Sequence, residues 1–155
     1  MRYRLFVADD FAALYSIEGV CFARPFRFAR RYMRELIESP SSTTWIAEED
    51  GAMAGFGILD CLTDEHGTAA YIQTIEVAPA QRNRGIGSEL LACMETSARN
   101  ASASVIWLHV DAQNEDAIRL YRGHGYRHAG RREHYYARGR AAEIYVRTLN
   151  NDGTE

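Results

Sequence analysis

Lysine is absent from this chain of 155 residues, and all eighteen basic residues other than histidine are arginines. That absence excludes a lysine nucleophile, Schiff-base chemistry and a phosphate loop built on Gly-Lys-Ser/Thr. Cysteine is sparse and odd in number. Cys21, Cys61 and Cys93 stand far apart with no C-x-x-C pair. Neither a disulfide framework nor a zinc ribbon is indicated, and the three read as small buried hydrophobes in a reducing compartment. No run approaches the roughly eighteen apolar residues that span a bilayer, and Met1-Arg2-Tyr3-Arg4 lacks the apolar stretch of a secretory signal. A cytoplasmic protein with no membrane partner is the expectation. The net charge of -3 gives no broad positive field, so a general nucleic-acid binder is not expected either. No repeat, linker or low-complexity segment interrupts the chain, whose length suits one domain over residues 1–149 followed by a polar tail, 150–155.

Hydrophobic periodicity divides the chain into strand and helix signals. Residues 3–7 read as a strand, followed by a helix over 11–22 with Asp9 and Asp10 as N-caps. Arg24-Pro25-Phe26 breaks that helix, and a second over 28–38 stops before Ser39-Pro40. Arg27, Arg30, Arg31 and Arg34 form either a solvated face or a lip that attracts an acidic substrate or a phosphate. Runs rich in β-formers over 43–48 and 53–61 flank Glu49-Asp50-Gly51-Ala52, a hairpin signal with Asp-Gly at its centre. A further turn over 64–68 leads to a strand over 69–77, giving three consecutive antiparallel strands. Ile86, Leu90, Leu91, Met94 and Ala98 share one face of a helix over 88–99, and 105–110 follows as a continuous apolar strand. This βαβ crossover makes strands 69–77 and 105–110 parallel. Asn114 caps another helix, with Glu115 and Asp116 in its first turn and Gly123 and Gly125 at its end. Strands over 126–131 and 143–149 close the fold.

Between the strand 69–77 and the following helix stands Arg82-Asn83-Arg84-Gly85-Ile86-Gly87, followed by Ser88. A strand that ends in a glycine loop opening a helix leaves backbone N–H groups and a positive dipole end free for an anion such as a pyrophosphate. Arg82 and Arg84 add charge-assisted donors. A dinucleotide fingerprint would need a third glycine after Gly85 and Gly87, and Ser88, Glu89 and Leu90 follow instead. The remaining pattern, Arg-x-x-Gly-x-Gly, resembles the acyl-CoA signature of the GNAT acetyltransferase superfamily. The resemblance implies an α/β (α+β) fold with a central mixed, mostly antiparallel sheet of about seven strands. About four helices flank it, and its parallel pair is splayed into a V at the centre. It also implies acetyl-CoA as cosubstrate without a metal, held by residues 82–88 together with Ile75, Val77, Asn114 and Tyr121.

Parallel pairing brings the carboxyl ends of strands 69–77 and 105–110 together, where α/β sheets bind ligands. Alternation predicts Tyr71, Gln73, Ile75 and Val77 on one face, and Trp107, His109 and Asp111 on a face of the next strand. Glu76, an alternative base, is thereby turned away from Tyr71. His109 interrupts an otherwise apolar strand, as either a hydrogen-bonded core residue or a catalyst. From Leu108 to Tyr126 the pattern Asn-x-x-Ala-Ile-x-x-Tyr-x-x-x-Gly-Tyr is similar to that of protein N-terminal acetyltransferases of the ribosomal-protein-alanine type. Bacterial relatives carry a glutamate base at the position of His109. A eukaryotic relative has histidine there and tyrosine at the position of Tyr71, together holding a catalytic water. The resemblance implies His109 and Tyr71 as the base system, directly or through water, and Tyr121 as the acid that protonates the departing thiolate. It further implies Phe26, Tyr135 and Tyr136 as grips on the acceptor, while arginines in the Phe26 loop leave the acceptor's identity open. His124 and His128 have a spacing superficially compatible with a metal pair, but no partner ligand is close in sequence. The expected reaction is direct acetyl transfer to a protein or peptide α-amine by a monomer or homodimer. The alternatives are a small-amine acetyltransferase and a non-catalytic acyl-CoA sensor.

Overall fold

The computed structural model describes residues 1–23 and 26–149. The expected break at Arg24-Pro25 and the tail 150–155 lie outside the described residues. Seven strands form one sheet, β1 (Arg2–Leu5), β2 (Ser42–Glu49), β3 (Ala52–Asp64), β4 (Gly67–Val77), β5 (Ala103–Asp111), β6 (Arg127–Ala137) and β7 (Arg140–Thr148), in the order β1-β2-β3-β4-β5-β7-β6. Four α-helices occur among the described residues: α1 (Phe11–Cys21), α2 (Arg30–Glu38), α3 (Ile86–Asn100) and α4 (Glu115–Gly123). The only parallel neighbours in that sheet are β4 and β5.

The β2–β3 turn is the predicted hairpin, with Asp50 at φ 53° and Gly51 at φ 79°, the left-handed pair that a two-residue turn between twisted strands requires. One face of the sheet is covered by α3, whose Ile86, Leu90, Leu91, Met94 and Ala98 are all buried as the periodicity predicted. Close approach requires Gly57 in β3, where a Cβ would come within 2.5 Å of Met94 Sδ. The opposite face carries α1 and α2, with Phe11, Leu14, Ile17 and Met33 packed on Ile46, Phe56 and Ile58. Burial of each such side chain contributes about 1.5–3 kcal/mol, and together they hold α1 beneath the sheet's centre.

Several boundaries differ from the predicted ones for identifiable reasons. The first strand stops at Leu5, and Ala8–Asp10 forms a 3-10 turn before α1. Asp10 does not cap α1 with its side chain. It turns back to accept from the Val7 N–H and from both terminal nitrogens of Arg4, each at 2.8 Å. The second helix begins at Arg30 because the Phe28 N–H is taken by Glu18 Oε2 at 2.7 Å while Ala29 stays extended. The last two strands are longer than their apolar runs and pair as one hairpin. Charged residues line much of β6, an exposed edge, so apolar content marks only part of it.

Two irregularities shape the centre. The β4–β5 ladder runs from Thr68↔Ala103 to Ile72↔Leu108. Beyond it β4 continues along β3 to Val77 and β5 continues along β7 to Asp111. The strands thus part into the expected V. In addition, Ile58 pairs with Thr74 while Leu59 pairs with Ile72, which leaves Gln73 as an extra residue in β4. This bulge reverses the side-chain parity. Ala70 and Ile72 face α3 before it, and Ile75 and Val77 face α3 after it. The predicted single face for Tyr71, Gln73, Ile75 and Val77 is therefore corrected, and Glu76 lies on Tyr71's side of the sheet.

Candidate active site

The parting strands open a cavity of about 700 Å³ on the α1–α2 side, lined by Phe26, Tyr71, His109, Tyr121, Tyr135 and Tyr136 among others. Tyr71 Oη and His109 Nδ1 lie 2.7 Å apart. Residue 71 precedes the bulge and residue 109 lies just past the last parallel pair, so the two side chains meet where the V begins. His109 stacks on Tyr135 with centroids 4.4 Å apart and planes at 10°, and Trp107 packs edge-on against Tyr71 at 4.6 Å.

Partial burial, and secondarily the Arg132 cation, hold His109 below the usual histidine value of 6.5. Its neutral form therefore dominates at pH 7, and a neutral imidazole can accept a proton. Burial, followed by the influence of Tyr135, pushes the Tyr71 phenol up and keeps it protonated. Two tautomers satisfy the 2.7 Å contact: the phenol donates to Nδ1, or Nδ1–H donates to the phenol oxygen and leaves Nε2 free as base.

Tyr121 and Asn114 both line this cavity from α4. Seven residues, about two helical turns, place them on one helix face. Asn114 Oδ1 accepts from Ala117 N–H at 3.1 Å, the predicted cap. Tyr121 is buried, and burial pushes its phenol up, so it remains a proton donor. Its hydroxyl has no hydrogen-bond partner among the described residues. The ring is held edge-on by Tyr126, whose hydroxyl donates to Glu95 at 2.8 Å, and Arg147 pairs with the same carboxylate at 3.0 Å.

A second cavity, about 510 Å³, runs over the glycine loop and is lined by Ile75, Val77, Arg82, Asn83, Gly85, Ile86, Gly87, Ser88 and Asn114. Gly85 sits at the N-cap of α3 with φ 81° and no capping side chain. The first-turn N–H groups are consequently open to an anion. A pyrophosphate fits these donors, and the acyl chain of a CoA thioester can pass the wall shared with the first cavity. Cys21, Phe22, Ile75, Asn114 and Ala117 form that wall.

Not every predicted residue reaches its cavity. Arg84 does not line the loop groove, because both its terminal nitrogens hold Glu49 at 2.9 Å. Arg82 lines it, but its Nε donates to Val77 O at 3.1 Å and Nη2 contacts Cys21 Sγ at 3.4 Å. Of the helical arginine run, Arg27 lines the larger cavity. Arg31 and Arg34 pair with Glu35 and Glu38, and Arg30 and Arg34 lie over the Phe11 ring. His124 and His128 are engaged separately, with Ser88 Oγ at 3.0 Å and Glu143 Oε1 at 2.7 Å. Sequence reasoning missed the lining residues Cys21, Gln81, Arg119 and Arg140. For Cys21 the position at the end of α1 beside the Phe26 loop is the one local signal. Arg140 has none, since it enters from β7, 29 residues from its partner Asp111.

Comparison with known proteins agrees with this geometry. A protein of Mycobacterium tuberculosis (strain ATCC 25618 / H37Rv), N-alpha-acetyltransferase RimI, is 33% identical over 115 residues, covering 74% of this chain and 70% of its own. Arabidopsis thaliana NAA60 in complex with acetyl-CoA superposes with a TM-score of 0.85 at 22% identity, over 96% of this chain and 98% of that one. The ribosomal-protein-S18-alanine N-acetyltransferase of Escherichia coli gives 0.83 at 23% identity, over 99% and 98%. The profile of the Acetyltransferase (GNAT) family matches residues 11–126, and with the splayed parallel pair and the open helix N-terminus in place, the chain belongs to that family of acetyltransferases.

Proposed function

We propose that the protein moves an acetyl group directly from acetyl-CoA to the α-amino group of a protein or peptide. The observation that carries this reading is the joint presence of a neutral His109 against Tyr71 at 2.7 Å and of the protonated Tyr121 in one chamber that adjoins the glycine-loop groove. An attacking amine must be uncharged. An α-ammonium group, with a pKa near 8, surrenders its proton to a neutral imidazole or to a water beside it far more readily than a lysine side chain near 10.4. Backbone N–H groups of β4 beyond Ile72, released from the β5 ladder, are available to a carbonyl oxygen that gains negative charge. Departure of the thiolate is completed by the Tyr121 proton, so the proton taken by the base and the one given by the acid balance over the cycle.

Direct transfer is favoured over an acyl-enzyme by the state of the cysteines. Cys93 lines neither cavity. Cys21 lines both, but burial pushes its thiol up, away from the reactive thiolate. The test is thiol release from acetyl-CoA with a panel of peptides carrying free N-termini and a panel of small amines. Peptide-dependent release is expected. Release driven by a small amine alone would replace the acceptor class, and CoA binding without any release would indicate a sensor.

A further inference from the structure

The acceptor chamber carries positive charge that the transfer chemistry does not use. Its one lining carboxylate, Asp111, is bound by Arg140 Nη2 at 2.7 Å. Arg140 Nε is buried beside that pair with no partner among the described residues, and the guanidinium lies 4.7 Å from the Phe26 ring centroid. Arg27 lines the rim with its Nε and Nη2 on the carbonyls of Phe22 and Gly19, at 3.3 and 3.2 Å, and forms no ion pair among the described residues. On β6 the exposed Arg132 side chain has no hydrogen bond or ion pair among the described residues, yet its charge reaches His109. The nearby β6 and β7 carboxylates are already committed, Glu133 to Arg131 and Glu143 to Arg131 and His128.

We infer that the acceptor carries a carboxylate in the residues that follow its N-terminal amine, bound by Arg27, Arg132 and Arg140. The inference rests on the α-amine reading. With the amine at His109, an extended peptide advances about 3.3 Å per residue, which brings its second to fourth side chains towards the walls that Arg27 and Arg140 line, within the field of Arg132 that reaches His109. A carboxylate there gains charge-assisted hydrogen bonds from guanidinium groups. A basic residue instead meets the charges of Arg27 and Arg132 with no free acid to offset them, since Asp111 is held by Arg140.

The test compares two peptides of equal length and identical first residue, one with Glu-Asp at the second and third positions and one with Arg-Arg. For the unaltered protein the acidic peptide is expected to show a kcat/KM about tenfold or more above the basic one, a difference that shrinks when ionic strength is raised from about 0.05 to about 0.5 M. Arg132→Glu should reverse the ratio and Arg27→Gln should reduce it. Taking the ratio of two peptides on one enzyme cancels any change in His109 itself. Equal turnover, or preference for the basic peptide, overturns the inference and leaves the α-amine reading standing. Failure to turn over either peptide, with release from a small amine, overturns both.

Discussion

Glu76 and Glu18 are buried together beneath the V, 2% and 0% exposed. Thr74 Oγ1 donates to Glu76 Oε2 at 2.9 Å and the Phe28 N–H donates to Glu18 Oε2 at 2.7 Å, while the Oε1 atoms of both are buried and otherwise unpartnered among the described residues. One proton held between the two carboxyl groups resolves that conflict. Burial first, and Glu18 second, push the Glu76 carboxyl far above its ordinary 4.5. In the unfolded chain Glu76 ionises near its ordinary value, so above that pH the folded state binds one proton more. Because the folded value is raised, the stabilisation is fully present below about pH 4.5 and is lost as pH rises through neutrality, at about 1.4 kcal/mol per pH unit. Glutamine at this position keeps an oxygen for Thr74 and presents an N–H to Glu18 with nothing to titrate. Glu76→Gln should therefore gain on the unaltered protein by about 2.7 kcal/mol between about pH 5.5 and about pH 7.5, as an upper bound for one proton over two units. Urea unfolding at a series of pH values measures it directly. A variant destabilised by the same amount at every pH would show that Glu76 is ionised in the fold and would refute the reasoning.

Tyr121→Phe should lower kcat by about a hundredfold or more while leaving the CoA dissociation constant nearly unchanged, because it removes a proton donor and little surface. The acid limb of kcat/KM against pH should fall below the ordinary histidine value of 6.5, since burial and Arg132 favour neutral His109, and His109→Gln should abolish that limb. Gly87→Glu should weaken CoA binding by about tenfold or more, by calorimetric titration, with little loss of melting temperature. A Cβ there meets Leu120 Cδ2 at an ordinary 3.6 Å, so the fold can accept the substitution while the carboxylate repels the phosphate.

The elements that hold the site were legible in the sequence wherever one periodicity governs one buried face. Residues 86–98 show it, with five apolar residues at helical spacing that all bury against the sheet. The Asp50-Gly51 turn and the Asn114 cap were legible for a similar reason, since each answers a local backbone demand. The parity of β4 was not, because alternation assumes an unbroken pleat. A trace of the bulge does stand in the chain: Ile72 and Ile75 both need the α3 face, and a spacing of three cannot satisfy period two without an extra residue between them. Arg84 failed for a different cause. From sequence it flanks the phosphate loop as closely as Arg82, and no local pattern marks its partner Glu49, 35 residues away in the chain.

The same bulge links chemistry to stability. Without Gln73 as an extra residue, Glu76 would point into α3 and Ile75 would point toward α1. Instead the strand presents Tyr71 to His109 at one end of the V and drives Glu76 against Glu18 at the other. Glu18 in turn holds the Phe28 N–H of the loop that carries Phe26 into the acceptor chamber. A shared proton therefore ties the Phe26 loop to the strand whose N–H groups the proposed mechanism offers to the reacting carbonyl. Replacing Glu18 by alanine removes both the loop contact and the proton's partner, and it should raise KM for the acceptor more than it changes CoA affinity. Equal losses in both would mean that α1 supports the whole site rather than the loop alone.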